Sequence, residues 1–226
     1  MPNESIGPDQ LDAIHARIVS YYSETLRRYG ATPHGVDWAD AAAHELRFAQ
    51  LLKICDFSNR FALNDFGCGY GALLAYLAKC HPGVAIDYLG IDLAPAMIAE
   101  ANRLWEGHRD AKFVVGAVSM RCAEYSIASG IFNVKRSERL ERWEQFVAHT
   151  LTNLRAASRR GFAVNFKDHN LESSPRSGLY VTNPQRWIEF CDLQLECSVQ
   201  LLTNYGLNEF TLLAHLRSET MQKTLE

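Results

Sequence analysis

The sequence predicts an α/β fold with a mostly parallel sheet of seven strands that ends in an antiparallel β-hairpin. Three observations support this. Short β-rich runs alternate with helical stretches from residue 61 onward, two helical patterns precede them, and only TNYGLN joins the last two apolar runs. Such alternation indicates parallel strands joined by crossover helices, whereas so short a link suits a hairpin.

Two helical patterns occupy the start of the chain. Apolar residues recur at steps of three or four between Pro8, which suits the first turn of a helix, and Gly30, which is typical of a helix end. After the loop ATPHGVDW, Asp37 and Asp40 are placed to cap a second helix. These two helices precede every predicted strand.

The elements of the sheet follow in chain order. Strands are predicted at FALNDF, IDYLGID, KFVVG, EYSIASGIF and GFAVNF before the hairpin, and helices at GALLAYLAKC, APAMIAEANRLW, 137–157 and 183–192. Residues 167–182 form a long irregular stretch, which suits a substrate loop and a plain surface excursion about equally.

Length and composition limit the function classes. A chain of 226 residues with 47% hydrophobic and 22% charged residues is typical of one soluble globular unit. We divide it into an N-terminal helical cap, residues 1–58, and a catalytic domain, residues 59–226. A formal net charge of -3 is unsuited to holding a long polyanion, and no apolar run reaches the roughly eighteen residues of a membrane span. We therefore expect a cytoplasmic protein that binds neither nucleic acid nor membrane.

Metal and disulfide chemistry are not indicated. The six cysteines and eight histidines lack the close spacing of zinc or redox motifs, and the sequence after His44 lacks the second histidine of HExxH. The sequence predicts reduced thiols and no structural metal.

The stretch DFGCGYG, Asp65 to Gly71, is the strongest functional signal. It follows an apolar run and precedes the helical GALLAYLAK, which is the setting of a nucleotide-binding turn. Glycine is needed where a ligand lies against the backbone, because a Cβ would fill the ligand's space or oppose a positive φ. The next predicted strand ends at Asp92, whose carboxylate can accept hydrogen bonds from both hydroxyls of a ribose.

Two cofactors compete for this turn. A nicotinamide dinucleotide is compatible with Gly67, Gly69 and Ala72, which satisfy GxGxx[G/A], and with Asp92 about twenty residues on. However, the carboxylate of Asp65 would repel a pyrophosphate at the turn. S-Adenosylmethionine instead brings an ammonium and a cationic sulfur, which Asp65 would attract.

The segments LNDFGCGYGALLAYL and LGIDLAPAMIAEA resemble the first two motifs of class I S-adenosylmethionine-dependent methyltransferases. The resemblance implies a Rossmann-like three-layer sandwich with S-adenosylmethionine as cofactor. It also implies that Asp65 contacts the amino group, Asp92 binds the ribose and Leu93 packs beside the adenine. The glycines that it brings to the methionine moiety are Gly67, Gly69 and Gly71.

One position departs from the family pattern. Such enzymes often have an acidic residue after the third strand that reads the adenine amino group, whereas this chain has Gly116-Ala117-Val118. We expect the backbone around Ala117 to take this role, or the contact to be missing. Ser129, at the end of the fourth predicted strand, is a further candidate cofactor contact at the edge where ligands bind in such sheets.

Methyl transfer needs alignment and exclusion of water more than a catalytic triad. Beyond the fourth strand, Asn133 could orient an amine or hydroxyl, or cap the following helix. In the cap, Tyr21, Tyr22 and Trp38 could close over the sulfonium or belong to the core. Arg47 could pair with the methionine carboxylate, pair with a neighbouring acid, or lie on the surface.

The C-terminal half offers weaker candidates. His169 has a pKa suited to a general base, although a lone loop histidine is commonly just solvated. Asn165, Tyr180 and Tyr205 could line an acceptor pocket. The sequence does not rank them further.

The sequence favours a methyltransferase for a small-molecule substrate, acting as a monomer or homodimer. Three alternatives stay open: attack on the aminocarboxypropyl carbon of the same cofactor, a nicotinamide-dependent oxidoreductase, and a non-catalytic binding subunit. The glycine turn alone does not separate the first of these from methyl transfer.

Overall fold

The computed structural model describes residues 6–38, 40–169 and 178–217. Within these ranges the chain forms one mixed sheet with helices on both faces. The strands are β1 (Phe61–Phe66), β2 (Ile86–Asp92), β3 (Ala111–Val115), β4 (Ala123–Ala128), β5 (Ser158–Asp168), β6 (Val181–Thr182), β7 (Cys197–Leu202) and β8 (Glu209–Leu216). The helices are α1 (Pro8–Tyr29), α2 (Ala41–Leu51), α3 (Ala72–Cys80), α4 (Pro95–Leu104), α5 (Leu140–Ala156) and α6 (Pro184–Leu193).

The sheet has the order β3-β2-β1-β4-β5-β8-β7, and the two-residue β6 pairs separately with β5. Strand β8 runs antiparallel to both β5 and β7, and the other pairs are parallel. This confirms the predicted mostly parallel, Rossmann-like sheet of seven strands ending in a hairpin. The addition is β6, which forms at the end of the long irregular stretch.

The N-terminal helices begin and end near the predicted residues. Pro8 opens α1, and Gly30 ends it at a φ of 66° while its N–H donates to Leu26 O at 2.7 Å. The Asp40 carboxylate caps α2 by accepting from Ala43 N at 2.7 Å. Asp37 does not cap α2, because it ends a separate 3₁₀ turn in a left-handed conformation.

Two apolar cores lie on opposite faces of the sheet. Successive residues of β5 alternate between them: Phe162 and Val164 belong to the first core, and Ala163 to the second. Buried residues of α1, α5 and α6 complete the first core, whereas α2 and α3 complete the second. This is the three-layer sandwich expected. The division at residue 58 stays a prediction.

The parallel register brings the carboxyl ends of β1, β2 and β4 together. Phe66, the last residue of β1, is level with Ile91 on β2 and Ala128 on β4. The residues that follow these three strands therefore meet at one edge of the sheet. Among the described helices, none is both long enough and apolar enough to cross a bilayer.

Candidate active site

The glycine turn after β1 is pinned against the end of β2. The N–H groups of Gly67 and Cys68 donate to Ile91 O at 2.8 and 3.1 Å, and Gly69 N donates to Asp92 Oδ2 at 2.9 Å. Gly67 and Gly69 have φ values of 72° and 55°, in the left-handed region that glycine favours. The turn is therefore already ordered by protein contacts.

Gly71 has a different role from the other two glycines. It is the N-cap of α3 at a φ of 87°, and a Cβ there would lie 2.5 Å from Trp105 Nε1. It does not line the cavity beside the turn. The predicted approach of Gly71 to a cofactor is thus not supported; the residue makes room for the packing of Trp105 and Phe113.

A cavity, here the glycine-loop cavity, lies between this edge of the sheet and the N-terminal helices. The predicted cofactor residues that line it are Asp65, Gly67, Gly69, Asp92, Leu93, Ala117 and Ser129. The N-terminal segment contributes Ile18, Tyr22, Val36, Trp38, His44 and Phe48. The helical cap therefore closes over the carboxyl ends of the strands.

Charge in this cavity is negative or absent. Burial, with a contribution from Asp92, raises the pKa of Asp65 to about 7, although a 2.5 Å hydrogen bond from the Tyr88 hydroxyl opposes the shift. Burial also raises the pKa of Asp92. Burial and the charge of Arg47 lower the pKa of His44 to about 4, so its ring is neutral at pH 7. Within the described lining there is no lysine or arginine, so a cationic ligand is favoured over an anionic one.

A second cavity, the outer cavity, adjoins the first. Both share Tyr22, Val36, Trp38 and Gly130. Further lining residues of the outer cavity include Tyr21, Tyr29, Asp37, Arg47, Asn133, Arg136 and Lys167. A molecule in the outer cavity would therefore meet a ligand of the glycine-loop cavity at the shared wall.

Trp38 is the central residue of the wall that the two cavities share. Its indole lies against Gly130, where an added Cβ would be 2.2 Å from Trp38 Cζ2, and Gly130 has a φ of 69°. The Arg47 guanidinium carbon lies 3.7 Å from the centroid of the Trp38 ring. Glycine at the end of β4 thus allows the indole of the cap to reach the sheet.

Arg47 forms a buried ion pair rather than a contact with the glycine turn. Its Nε and Nη2 donate to the Glu209 carboxylate at 2.8 and 2.7 Å, while Glu45 binds Lys79. The side chains of Arg47 and Glu209 are only 7% and 1% exposed. Arg47 lines the outer cavity and not the glycine-loop cavity. The geometry therefore does not support its predicted pairing with a methionine carboxylate.

Glu209, which sequence reasoning did not single out, holds Arg47 in place beside the outer cavity. Its carboxylate also accepts from Asn165 Nδ2 at 2.8 Å and from Lys167 Nζ at 3.4 Å. Asn165 Oδ1 in turn accepts from Gly130 N at 2.8 Å. The β5–β8 register, which pairs Lys167 with Glu209, creates this cluster. In the sequence, the only sign of Glu209 is that it is one acid at the start of an apolar run.

Asn133 is buried beside the outer cavity. Its backbone N–H donates to Gly130 O at 3.3 Å, and its carbonyl accepts from Tyr180 N at 2.8 Å. The side-chain Oδ1 is buried and has no hydrogen-bond partner in the described structure. Helix α5 begins only at Leu140, so Asn133 is not its cap.

The remaining candidates line neither cavity. The His169 side chain is exposed, and the backbone N–H of His169 donates to Thr182 O beside β6. His169 is absent from the lining of both cavities. The Tyr180 hydroxyl bonds Glu144 and Trp187 in the core, and the Tyr205 hydroxyl bonds Thr211. The structure does not bring these three side chains to the site.

Comparison with known proteins agrees with this architecture. Residues 64–156 match a family model described as a methyltransferase domain. Rv1506c of Mycobacterium tuberculosis, provisionally named a methyltransferase, is 41% identical over 168 residues, covering 74% of this chain and 100% of that protein.

Two solved structures share the fold at low identity. Magnesium protoporphyrin IX methyltransferase from Synechocystis PCC 6803, solved with bound SAM, superposes with a TM-score of 0.64 at 14% identity, over 95% of this chain and 100% of that one. The [4+2]-cyclase SpnF superposes with a TM-score of 0.59 at 14% identity, over 77% and 81%. Since one neighbour is named for another reaction, the fold alone does not fix the chemistry.

Proposed function

Because this chain belongs to the class I S-adenosylmethionine-dependent methyltransferases, with S-adenosylmethionine as cofactor, we propose that it methylates a small-molecule acceptor. The observation that carries the proposal is the junction of the two cavities at Tyr22, Trp38 and Gly130. One cavity suits a cationic ligand, and the other offers polar groups on the far side of the same wall.

The glycine-loop cavity fits the cofactor in charge. We assign the ammonium of the cofactor to Asp65 and its ribose hydroxyls to Asp92. Ser129 Oγ is buried without a partner in the described structure, which suits it to donate to the methionine carboxylate. Gly67 and Gly69 line the cavity, and we place their backbone beside the methionine moiety.

The adenine would lie at the end of the cavity formed by Leu93 and Ala117. Both are half-buried, and neither bears a side chain that can read the adenine amino group. We propose that backbone groups of Gly116 and Ala117 supply polar contacts there, which compensates for the missing acidic residue.

When bound, S-adenosylmethionine would supply an electrophilic methyl group and leave as the neutral thioether, while the acceptor would contribute the lone pair and release its proton to solvent in the outer cavity. Tyr22 and Trp38 exclude water from the junction and present aromatic faces to the cation. Burial and the nearby Asp37 raise the pKa of Tyr22, so its hydroxyl stays protonated and can donate but not act as a base.

Asn133 is our candidate for orienting the acceptor. Its unpartnered Oδ1 can accept a hydrogen bond from the hydroxyl or amine that receives the methyl group. Holding the nucleophile in line supplies much of the rate in such a displacement. His169 is not retained in this role because it is exposed at the sheet edge.

Titration calorimetry tests the cofactor site. We expect binding of S-adenosylmethionine and not of NAD, whose pyrophosphate would face two carboxylates in a cavity whose described lining has no lysine or arginine. Asp92→Ala should weaken binding strongly and Asp92→Asn less, because Asn keeps an oxygen for Gly69 N. Asp110→Ala, at an exposed ion pair with Arg60, is the matched control and should bind as wild type does.

Product analysis tests the reaction. With methyl-labelled cofactor and a metabolite extract, methyl transfer yields S-adenosylhomocysteine and one acceptor that gains the label. Methylthioadenosine as the main product would instead show attack on the aminocarboxypropyl carbon. Tight NAD binding with no response to S-adenosylmethionine would overturn the proposal.

A further inference from the structure

The outer cavity carries two unpaired hydrogen-bonding groups of opposite kinds. Four buried side-chain N or O atoms lack a partner in the described structure: Arg47 Nη1, Ser129 Oγ, Asn133 Oδ1 and Arg186 Nε. Two of them, Arg47 Nη1 and Asn133 Oδ1, belong to residues that line the outer cavity. Because buried polar groups are generally hydrogen-bonded, these two atoms indicate a ligand that supplies an acceptor to one and a donor to the other.

At the Arg47 side, the described lining of the outer cavity contains two cations, Arg47 and Lys167, and no carboxylate. Arg47 and Lys167 share a single carboxylate, Glu209, which also accepts from Asn165. Arg47 uses Nε and Nη2 for this pair, so Nη1 is the edge left for a ligand. Glu209 and Asp168, the residue after Lys167 on β5, are both acidic, but neither lines the cavity, and Asp168 has an interaction of its own.

The other charged residues of the described lining offset one another at Tyr21. The Tyr21 hydroxyl bonds Asp37, and the Arg136 guanidinium carbon lies 5.1 Å from the Tyr21 ring centroid. One carboxylate and one cation therefore flank the same aromatic ring. Arg47 and Lys167 are therefore the cations of the described lining that have no acid beside them in it, which favours an anionic group such as a carboxylate at that end.

We propose that the methyl acceptor is a carboxylate-bearing hydroxy or amino compound held in the outer cavity. Its carboxylate binds Arg47 Nη1 and Lys167 Nζ, and the hydroxyl or amine to be methylated donates to Asn133 Oδ1. Trp38, which contacts Arg47 on one side and Gly130 on another, sets the distance between the two ends. This inference rests on the proposed function.

Benzoate and benzamide test the proposal, because they differ chiefly in charge. Each is titrated at millimolar concentration into protein saturated with S-adenosylhomocysteine, and the Trp38 indole N–H signal is followed by NMR, assigned with Trp38→Phe. Benzoate should shift this signal and bind at least about tenfold more tightly than benzamide. Phenyl phosphate, a dianion above neutral pH, should bind no more tightly than benzoate.

Two variants move the affinity in opposite directions. Lys167→Gln should weaken benzoate about tenfold and leave benzamide unchanged. Glu209→Gln should strengthen benzoate, since it removes the competing carboxylate; if this variant does not fold, Lys167→Gln still decides. Lys112→Gln, an exposed cation on β3, is the control and should change neither ligand.

Failure of the inference differs from failure of the proposed function. Equal affinity for benzoate and benzamide, or no Trp38 shift with either while S-adenosylhomocysteine binds, overturns the carboxylate site. Tighter binding of phenyl phosphate overturns the assignment to a carboxylate. Absence of S-adenosylhomocysteine binding overturns the methyltransferase proposal itself.

Discussion

Affinity for S-adenosylmethionine should fall as the pH drops below 7, because Asp65 must be ionised to bind the ammonium of the cofactor. Burial raises the pKa of Asp65 to about 7, while the Tyr88 hydroxyl, which donates to Oδ2, holds it from rising further. Below pH 7 the cofactor amino group stays charged, so the titration reports on the protein.

The size of the effect follows from linkage. If only ionised Asp65 binds, the apparent dissociation constant scales with one plus ten to the power of pKa minus pH. With a pKa of about 7, this factor is about 2 at pH 7 and about 30 at pH 5.5. Affinity should therefore fall about fifteenfold across this window.

Calorimetry across this window, with two variants and one control ligand, isolates Asp65. Asp65→Asn should bind weakly and should keep only the pH dependence that belongs to Asp92. Tyr88→Phe removes a hydrogen bond that lowers the pKa of Asp65, so affinity should begin to fall at a higher pH. Methylthioadenosine keeps the adenosine and lacks the ammonium, so the pH dependence of its affinity should reflect Asp92 alone. An identical pH profile for both ligands would refute the assignment of the ammonium to Asp65.

The same titration affects the stability of the ligand-free protein. The folded-state pKa of Asp65 lies above its ordinary value of 3.8, so the folded state retains a proton that the unfolded state releases. The free energy of unfolding should therefore fall as the pH rises from about 4 to about 7, by up to about 4 kcal/mol for a pKa difference of about three. Asp65→Asn should remove this loss and raise the melting temperature at pH 8.

Three further variants test other contacts. Gly71→Ala should cost about 1–3 kcal/mol in urea unfolding without weakening cofactor affinity in the folded protein, because a Cβ would meet Trp105 at a positive φ; unchanged stability would contradict the packing role. Glu209→Gln should cost about 3–5 kcal/mol, since it leaves the buried charge of Arg47 unpaired, and a smaller loss would mean that water reaches the pair. Asn133→Ala should slow S-adenosylhomocysteine formation about tenfold to a hundredfold at unchanged cofactor affinity, and an unchanged rate would remove Asn133 from the mechanism.

The fold and the position of the glycine turn at the sheet edge could be predicted because their signals are local. Asp65 is the next-to-last residue of β1 and Asp92 is the last of β2, and the parallel pairing of these strands brings their ends to one edge of the sheet. The glycine spacing between β1 and α3 indicates the turn itself. The loop after β3 follows another parallel strand, so Ala117 lies at the same edge and lines the glycine-loop cavity.

The acceptor side could not be predicted because its contacts join distant segments. Arg47 and Glu209 are 162 positions apart, and they meet only when α2 docks beside β8. Gly71 matches a ligand-binding motif in the sequence, yet in the fold it packs against the side chain of Trp105, which lies just after α4. His169 looked like a loop base, but the pairing of β6 with β5 holds it at the sheet edge. Such outcomes depend on tertiary packing rather than on spacing along the chain.

The junction of the two cavities is enclosed by one circuit of contacts. Trp38 packs on Gly130, whose N–H donates to Asn165; Asn165 donates to Glu209, which binds Arg47, and Arg47 stacks on Trp38. Members of such a circuit do not act independently, because displacing one changes the position of the next. The cap and the sheet edge therefore set the shape of the acceptor site together. A change of acceptor preference in a relative should thus involve substitutions on both sides of this circuit.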